Sequence, residues 1–575
     1  MSPTSQRRTL AATGTALGLA AALAGCAGMA VPAPAGTEDA ALRFDATRYT
    51  TVQVRVDGAP VQVRQYRIVY VAKPLRMALT QPTLMGKPTT LSSPHDYQTM
   101  VVSVPEHLLG DRKAALYTVV NNGGWWASPV ATPITDGASF ASTSDTDAIG
   151  AALKAGHVVI HLGTRSRGIR TEDGRWAGKA PAPVVDVKAA IRYLRLNDGA
   201  MPGSAERIIV TGTSGGGGLT AVVAASGNST DYLPELAEIG AAGVRGSGAA
   251  ATSTLRDDIF AAVAYCPINN LGHADAGYEW EYGALRDDTN TPALNGVAYA
   301  AGPQPGASTA LAALFPAYLN GLGLTRDDGS ALTAAHLRDL TLAQVKAELE
   351  RQIAKGTAIP ALGESFTLTL YGPPGSAPTT KTIVNDWLTL AGQGTRAQVA
   401  HIDYARFLRF VTATARLKTV VAFDAAGVTG NPNVSGESNL FGSDHATYAN
   451  FNAWTWAHNT VKGDGSGLDD TGQDWDAHLA DPSNGLARQL RLINPVAYLN
   501  TPTADAAPYW YVRHGMIDRD TSFAMQTLLY RAIRQDPSVK DVNFKLHYLV
   551  PHAGNYDVQE AFAWMRARLD AHVTR

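Results

Sequence analysis

Residues 208–228 read IIVTGTSGGGGLTAVVAASGN. A β-branched apolar run leads into Gly212-Thr213-Ser214-Gly215-Gly216, and a small-residue apolar segment of helical character follows. G-x-S-x-G between a strand and a helix is the pattern of a nucleophile elbow. The glycines permit a strained turn that bulky side chains would block. The helix beginning there directs backbone N–H groups toward a developing negative charge. A glycine-rich phosphate loop is the competing reading, but it requires G-x-x-x-x-G-K-[ST], and no Lys follows. Ser214 is therefore the candidate nucleophile.

A serine hydroxyl needs a base to take its proton, and the base needs a carboxylate to fix its tautomer. Behind an elbow of this kind the chain order is Ser, then acid, then His. The run YWYVRHG (509–515) is strand-like, and Asp518 lies just past it. Val542, Phe544, Leu546, Tyr548 and Val550 alternate as a second strand, and His552 follows in PHAGNYD, 34 residues after Asp518 (552 minus 518). His514 and His547 are rivals, but both fall inside strands. Asp520 is a second loop carboxylate, placed to cap the helix expected over 521–535. The oxyanion donors are expected at Gly215 and at Gly123 or Gly124 in VVNNGGWW (119–126). A tight turn burying Trp125 explains that last stretch equally well.

Working outward, ALYTVV (115–120) and HVVIHLG (157–163) are buried-strand runs, and Val184, Val187, Ile191 and Leu194 recur at helical spacing before the strand at 208. Strand and helix in alternation predict an α/β protein with a mostly parallel central sheet flanked by helices. Val52, Val54 and Val56, a turn at Asp57-Gly58, then Val61 and Val63 predict an N-terminal β-hairpin extension. From 266 to 492 the pattern lapses into polar turns and isolated helices, one predicted from Thr341 through Ile353. KGDGSGLDDTGQDWD (462–476) misses the spacing of a calcium loop and is read as a solvated acidic loop. The sheet pattern then resumes. We therefore expect a core in two parts, 45–265 and 493–575, with an inserted lid between them.

The first residues are read apart from the fold. Arg7-Arg8, a short apolar stretch and Leu23-Ala24-Gly25-Cys26 resemble a bacterial lipoprotein signal peptide (1–25), with Cys26 the lipidated residue and 26–44 a tether. That implies an exported, membrane-anchored envelope protein; an ordinary signal peptide is the alternative. The chain has 575 residues, two Cys and a formal net charge of -2. With 17% charged residues and no basic cluster, no nucleic-acid partner is expected. No metal site or cofactor is expected either, since H-E-x-x-H and clustered Cys or His are missing; His273 and Asp275 alone do not make one.

Several runs go beyond these general signals: GTSGGGGLTAVVAASGNSTDYLPELAEIGAAG, DDIFAAVAYCPINNLGHADAGYEWEYG, LKTVVAFD, ESNLFG, RHGMIDRDTSF and PHAGNYDV. They resemble the bacterial tannase family over about residues 45–570, most specifically at 257–283 and 513–523. The resemblance implies an α/β-hydrolase fold with a large inserted lid. It also implies hydrolysis of galloyl esters through Ser214, Asp518 and His552. Lys418, Glu437 and Asp520 match positions that hold the three hydroxyls of the galloyl ring. A site built on such polar contacts rejects rings that lack the hydroxyls. The long lid, with apparent insertions at 286–332 and 456–486, and the imperfect Gly run at 121–125 depart from the family pattern and leave the alcohol side open. The alternatives are a feruloyl or other aryl esterase, and a hydrolase-fold surface lipoprotein without chemistry.

Overall fold

A computed structural model describes residues 37–82, 89–370, 377, 379–428, 436–463 and 465–573. The signal-peptide and Cys26 readings lie outside these residues. Residues 37–44, which the sequence assigned to the tether, are held on the core: Thr37–Ala41 is a helix, Asp39 pairs with Arg245 and accepts the Gly243 N–H, and Leu42 is buried.

The sheet strands are β1 (Thr50–Val56), β2 (Ala59–Val69), β3 (Thr99–Pro105), β4 (Leu116–Val120), β5 (Ser139–Phe140), β6 (Val158–Leu162), β7 (Ile208–Thr213), β8 (Ala261–Tyr265), β9 (Tyr509–Gly515) and β10 (Asp541–His547). They lie in the order β10-β9-β8-β7-β4-β6-β3-β2-β1-β5. From β10 to β6 the neighbours are parallel, while β6–β3, β3–β2 and β2–β1 are antiparallel. The hairpin thus extends the sheet, turning at Asp57 and Gly58, both with positive φ as a two-residue hairpin loop demands.

Alternation along the strands divides the core. Val158, Ile160, Ile208 and Val210 face the helices Ala182–Leu196 and Gly215–Ala225, whereas Tyr117, Val159, Ile209 and Val263 face Ala148–Lys154 and Val558–Val573. Burial on both faces is what near-continuous apolar runs in parallel strands produce.

The chain leaves the sheet after Tyr265 and rejoins it at Tyr509. Between them lie the helices Leu271–Tyr282, Gln304–Gly321, Ala334–Ala354 and Tyr404–Thr414, and two small antiparallel ribbons. This is an α/β-hydrolase fold with an inserted domain. The helix expected to start at Thr341 begins seven residues earlier; Thr341 is inside it, buried, with its hydroxyl against Leu337 O and Thr527 Oγ1. A mid-helix threonine that bonds back to a carbonyl resembles a cap in sequence. No helix among the described residues is long and apolar enough to cross a membrane.

Candidate active site

Ser214 lies between β7 and the helix Gly215–Ala225 with φ 62° and ψ −123°. Its N–H donates to Tyr265 O at 2.9 Å, and its carbonyl accepts from Gly218 and Ile268 at 2.9 and 3.0 Å, so the end of β8 and its own helix grip both sides of the turn. The glycines after it serve close approach. A Cβ on Gly215 would lie 2.1 Å from Trp125 N, and one on Gly218 1.9 Å from Ile268 O. The helix can therefore press its first turn against both the loop after β4 and the loop after β8.

The His552 imidazole meets Ser214 Oγ at 2.9 Å through Nε2 and Asp518 Oδ2 at 2.8 Å through Nδ1. Asp518 follows β9, is fully buried, and also accepts the Asp520 N–H at 2.8 Å. Burial would raise its pKa, but the His552 and His514 rings and these hydrogen bonds overrule it and hold the carboxyl at about 2. Burial likewise opposes charge on His552, yet the adjoining Asp518 carboxylate carries the ring well above its ordinary value. With Nδ1 held by the carboxylate, the neutral ring keeps its proton there and turns a lone pair on Nε2 toward the serine.

The loop bearing His552 is fixed at both ends. Gly554 packs so closely on Thr213 that a Cβ would fall 1.9 Å from its hydroxyl oxygen. Asp557 accepts hydrogen bonds from Tyr265, Tyr511 and Arg513, at 2.8, 2.6 and 2.6 Å.

Two further side chains border this hydrogen-bonded chain: His514, weighed in the sequence as a rival base, and Cys266, which was not singled out. His514, inside β9, has Nδ1 3.3 Å from Asp518 Oδ2. Cys266 has Sγ 3.9 Å from His552 Nε2 and donates to Ala553 O at 3.2 Å. Cys266 follows β8 directly, so its nearness to the end of β7 was a strand-adjacency signal that needed the strand order to read. Cys266, Asp518 and His552 are the one group among the described residues with three metal-ligating side chains converging. The Asp518–His552 bond already accounts for two of them.

Of the oxyanion candidates, Gly123 donates its N–H to Asn121 O at 3.0 Å, so Gly124 and Gly215 are kept as the proposed donors. Trp125 is buried, with Nε1 donating to Ile268 O, so the tight turn and the glycine pair coexist.

The three ring-binding candidates are differently placed. Asp520 Oδ2 lies 4.0 Å from His552 Nδ1, and Asp520 pairs with Arg519. It does not cap the helix Phe523–Gln535; Ser522 does, accepting from Met525 N. Glu437 is buried and pairs with Arg167 at 3.3 Å. Lys418 is half-buried, its ammonium 4.2 Å from the centre of the Phe423 ring, while Phe423 O accepts the Glu437 N–H at 2.8 Å. Lys418 and Glu437 thus flank one residue of the inserted domain.

That flanking loop hangs on two buried carboxylates. Asp275 accepts the N–H groups of Ala422, Phe423 and Asp424 and the Asn452 amide. Asp424 accepts from Phe451 and Asn452 N–H, the Asn450 amide, and the Ser438 and Thr455 hydroxyls. Burial, reinforced by each other's charge at Asp275, pushes Asp275 to about 8; burial pushes Asp424 to about 6 against its hydrogen bonds. Lys179 from the core adds a strap, donating to the carbonyls of Asn439, Phe441 and Thr447.

Residues 129–246 match the BD-FAE family model. Among solved structures, the Lactobacillus plantarum tannin acyl hydrolase superposes with TM-score 0.68 and 30% identity over 92% of this chain and 99% of that one. A Fusobacterium nucleatum tannase gives 0.67 and 28% over 92% and 99%. A tannin acyl hydrolase in complex with ethyl gallate gives 0.68 and 30% over 92% and 98%. Comparison with curated protein sequences gives no significant match.

Proposed function

The chain belongs to the bacterial tannase family and is a carboxylic ester hydrolase, and from that premise we propose that it cleaves galloyl esters through Ser214, His552 and Asp518 by way of an acyl-enzyme. The observation that carries the reading is the unbroken chain Asp518–His552–Ser214 at 2.8 and 2.9 Å, drawn from three separate segments.

His552 Nε2 takes the Ser214 proton as Oγ bonds to the ester carbonyl carbon, and the carbonyl oxygen gains the negative charge. The N–H groups of Gly215 and Gly124 receive that oxyanion. Collapse breaks the bond to the alcohol, which leaves with the proton from Nε2. Water then attacks the acyl-serine, giving a proton to His552, and the second collapse returns that proton to Oγ and frees the acid. Asp518 stays ionised throughout and offsets the imidazolium.

Lys418, Glu437 and Asp520 supply one ammonium and two carboxylates for the ring hydroxyls. Support comes from the relatives: one tannin acyl hydrolase is described with ethyl gallate and another with 3,4-dihydroxybenzoate. Ser214→Ala is expected to fold and to lose methyl gallate hydrolysis by at least about a thousandfold; retained turnover would remove the assignment. Ferulate esters, lacking the vicinal hydroxyls, are expected to be poor substrates, and equal turnover would favour the broader aryl esterase. The N-terminal reading stays as part of the proposal: export, with Cys26 as the lipid-bearing residue, tested by palmitate labelling of the wild type against Cys26→Ser.

A further inference from the structure

His514 is a buried histidine that the proposed mechanism leaves unused. It lies inside β9, opposite Leu546 of β10, and its side chain is fully buried. Just beyond it the chain turns sharply. The Asp518 N–H donates to Gly515 O at 3.1 Å, and a Cβ on Gly515 would fall 2.0 Å from Val550 O. The turn brings the Asp518 carboxyl back toward its own strand. Oδ2 of Asp518 thereby meets two imidazoles, His552 Nδ1 at 2.8 Å and His514 Nδ1 at 3.3 Å, while Oδ1 accepts the Asp520 N–H at 2.8 Å.

Neither His514 nitrogen has an aligned hydrogen-bond partner among the described residues, and Phe523 stands edge-on to the ring with centres 5.3 Å apart. The titratable groups acting on the ring are Asp518 and Asp520, from the loop after β9, and His552, from the loop after β10. Burial outweighs the attraction of the carboxylates and lowers its pKa, so the ring is neutral near pH 7. A neutral imidazole carries one N–H and one lone pair. A lone pair on Nδ1 would face the Asp518 charge at 3.3 Å, whereas an N–H there turns its positive end to it. The carboxylate therefore selects the Nδ1–H tautomer. In a buried site such a dipole stabilises the anion even where its alignment falls short of a full hydrogen bond.

We propose that His514 is a positioning residue of the acid–base chain: its Nδ1–H holds the Asp518 carboxylate in place, with Oδ2 turned to His552. The inference rests on the reading of Ser214, His552 and Asp518 as the triad, and it adds a fourth member that touches neither substrate nor reacting atoms. Two imidazoles share one oxygen, so the second tempers the pull of Asp518 on the first.

The test compares His514→Phe, which keeps a flat ring and removes the donor, with His514→Asn, whose amide nitrogen takes the place of Nδ1. The first variant is expected to lower kcat for methyl gallate at least about tenfold with KM within about twofold, and to move the acid limb of kcat/KM to higher pH. The second is expected to keep kcat within about threefold of wild type. An amide no better than the phenyl ring, or a phenyl variant equal to wild type, would overturn the proposal. A measurement on the wild type stands beside these and decides where the variants do not fold. With histidine labelled by 15N, NMR is expected to show His514 neutral and protonated on Nδ1 between about pH 6 and 8; a ring protonated on Nε2 alone would overturn the proposal. Should Ser214→Ala retain turnover, the triad reading fails; should it lose turnover while the amide variant fails to rescue, only the role of His514 falls. If the wild type cleaves no galloyl ester, the same comparison is made with 4-nitrophenyl acetate.

Discussion

Arg167 and Glu437 are joined across the boundary between core and inserted domain. Arg167 Nη2 lies 3.3 Å from Glu437 Oε1 while its Nε donates to Gly124 O at 2.7 Å, and both side chains are buried. The guanidinium also lies over the Trp126 ring, 4.0 Å from its centre. One planar fork therefore sets the distance between Gly124 and Glu437, the residues proposed as an oxyanion donor and a ring-binding carboxylate.

Replacing Arg167 by Ala strands the Glu437 charge, and loss of one partner of a buried pair costs about 3–5 kcal/mol. A lowered Tm is expected along with loss of gallate hydrolysis. Arg167→Lys keeps the charge but cannot hold Gly124 O and Glu437 at once. It is expected to lower kcat/KM for methyl gallate about 10- to 100-fold with a smaller Tm change, checked by thermal melting beside steady-state kinetics.

The Asp275–Asp424 hub predicts a selective effect. Asp424→Asn loosens the segments that carry Lys418 and Glu437 without touching Ser214, so KM for methyl gallate is expected to rise severalfold more than KM for 4-nitrophenyl acetate, whose acyl group is too small to use those residues. The same hub predicts a pH trend. Folding raises both carboxyls, to about 8 and about 6, from ordinary values near 4. The folded chain thus binds more protons than the unfolded one across that window. This contribution is fully present below about pH 4 and is lost as pH rises through about 6 and then 8. Tm is expected to fall between about pH 6 and 8.5, and Asp275→Asn to flatten that slope, as followed by calorimetry across the range.

Much of this site was legible in the sequence because local rules constrain it. The elbow requires glycines around Ser214, the hairpin requires Asp57-Gly58, and parallel strands buried on both faces give the runs at 116, 158, 208 and 509. Asp518 and His552, the proposed acid and base, could be read from where their strands stop. The roles of Arg167, Asp275 and Asp424 were not legible in this way. Each acts on residues distant in sequence, Arg167 on Glu437 270 positions away, and a buried charged group leaves no periodicity in either segment. Asp520 as a helix cap was a plausible local reading that lost to Ser522, nearer the first turn.

On the proposed mechanism His552 sets the acid limb of activity. The ring acts as a base only when neutral, and Asp518 holds its pKa well above the ordinary value despite the opposing effect of burial. The rising limb of kcat/KM for methyl gallate is therefore expected to have its midpoint above about pH 6.5. Asp518→Asn removes the carboxylate, and is expected to cost about 10^3- to 10^4-fold in kcat and to move the remaining limb to lower pH. A wild-type midpoint at or below about 6 would contradict the electrostatic account.

Cys266 offers a check on how tightly the same centre is closed. Its thiol is fully buried, donates to Ala553 O, and lies 3.9 Å from the imidazole that is hydrogen-bonded to Ser214. Burial raises its pKa, more than offsetting the pull of His552, so the reactive thiolate is scarce near neutral pH. Iodoacetamide is expected to leave the peptide containing Cys266 unmodified in the native protein and to alkylate it fully in denaturant, as measured by peptide mass mapping. Rapid native modification accompanied by loss of activity would show that the wall between the elbow and the His552 loop opens. Cys266→Ala is expected to keep kcat within about fivefold, because the sulfur packs beside the acid–base chain and transfers no proton in it.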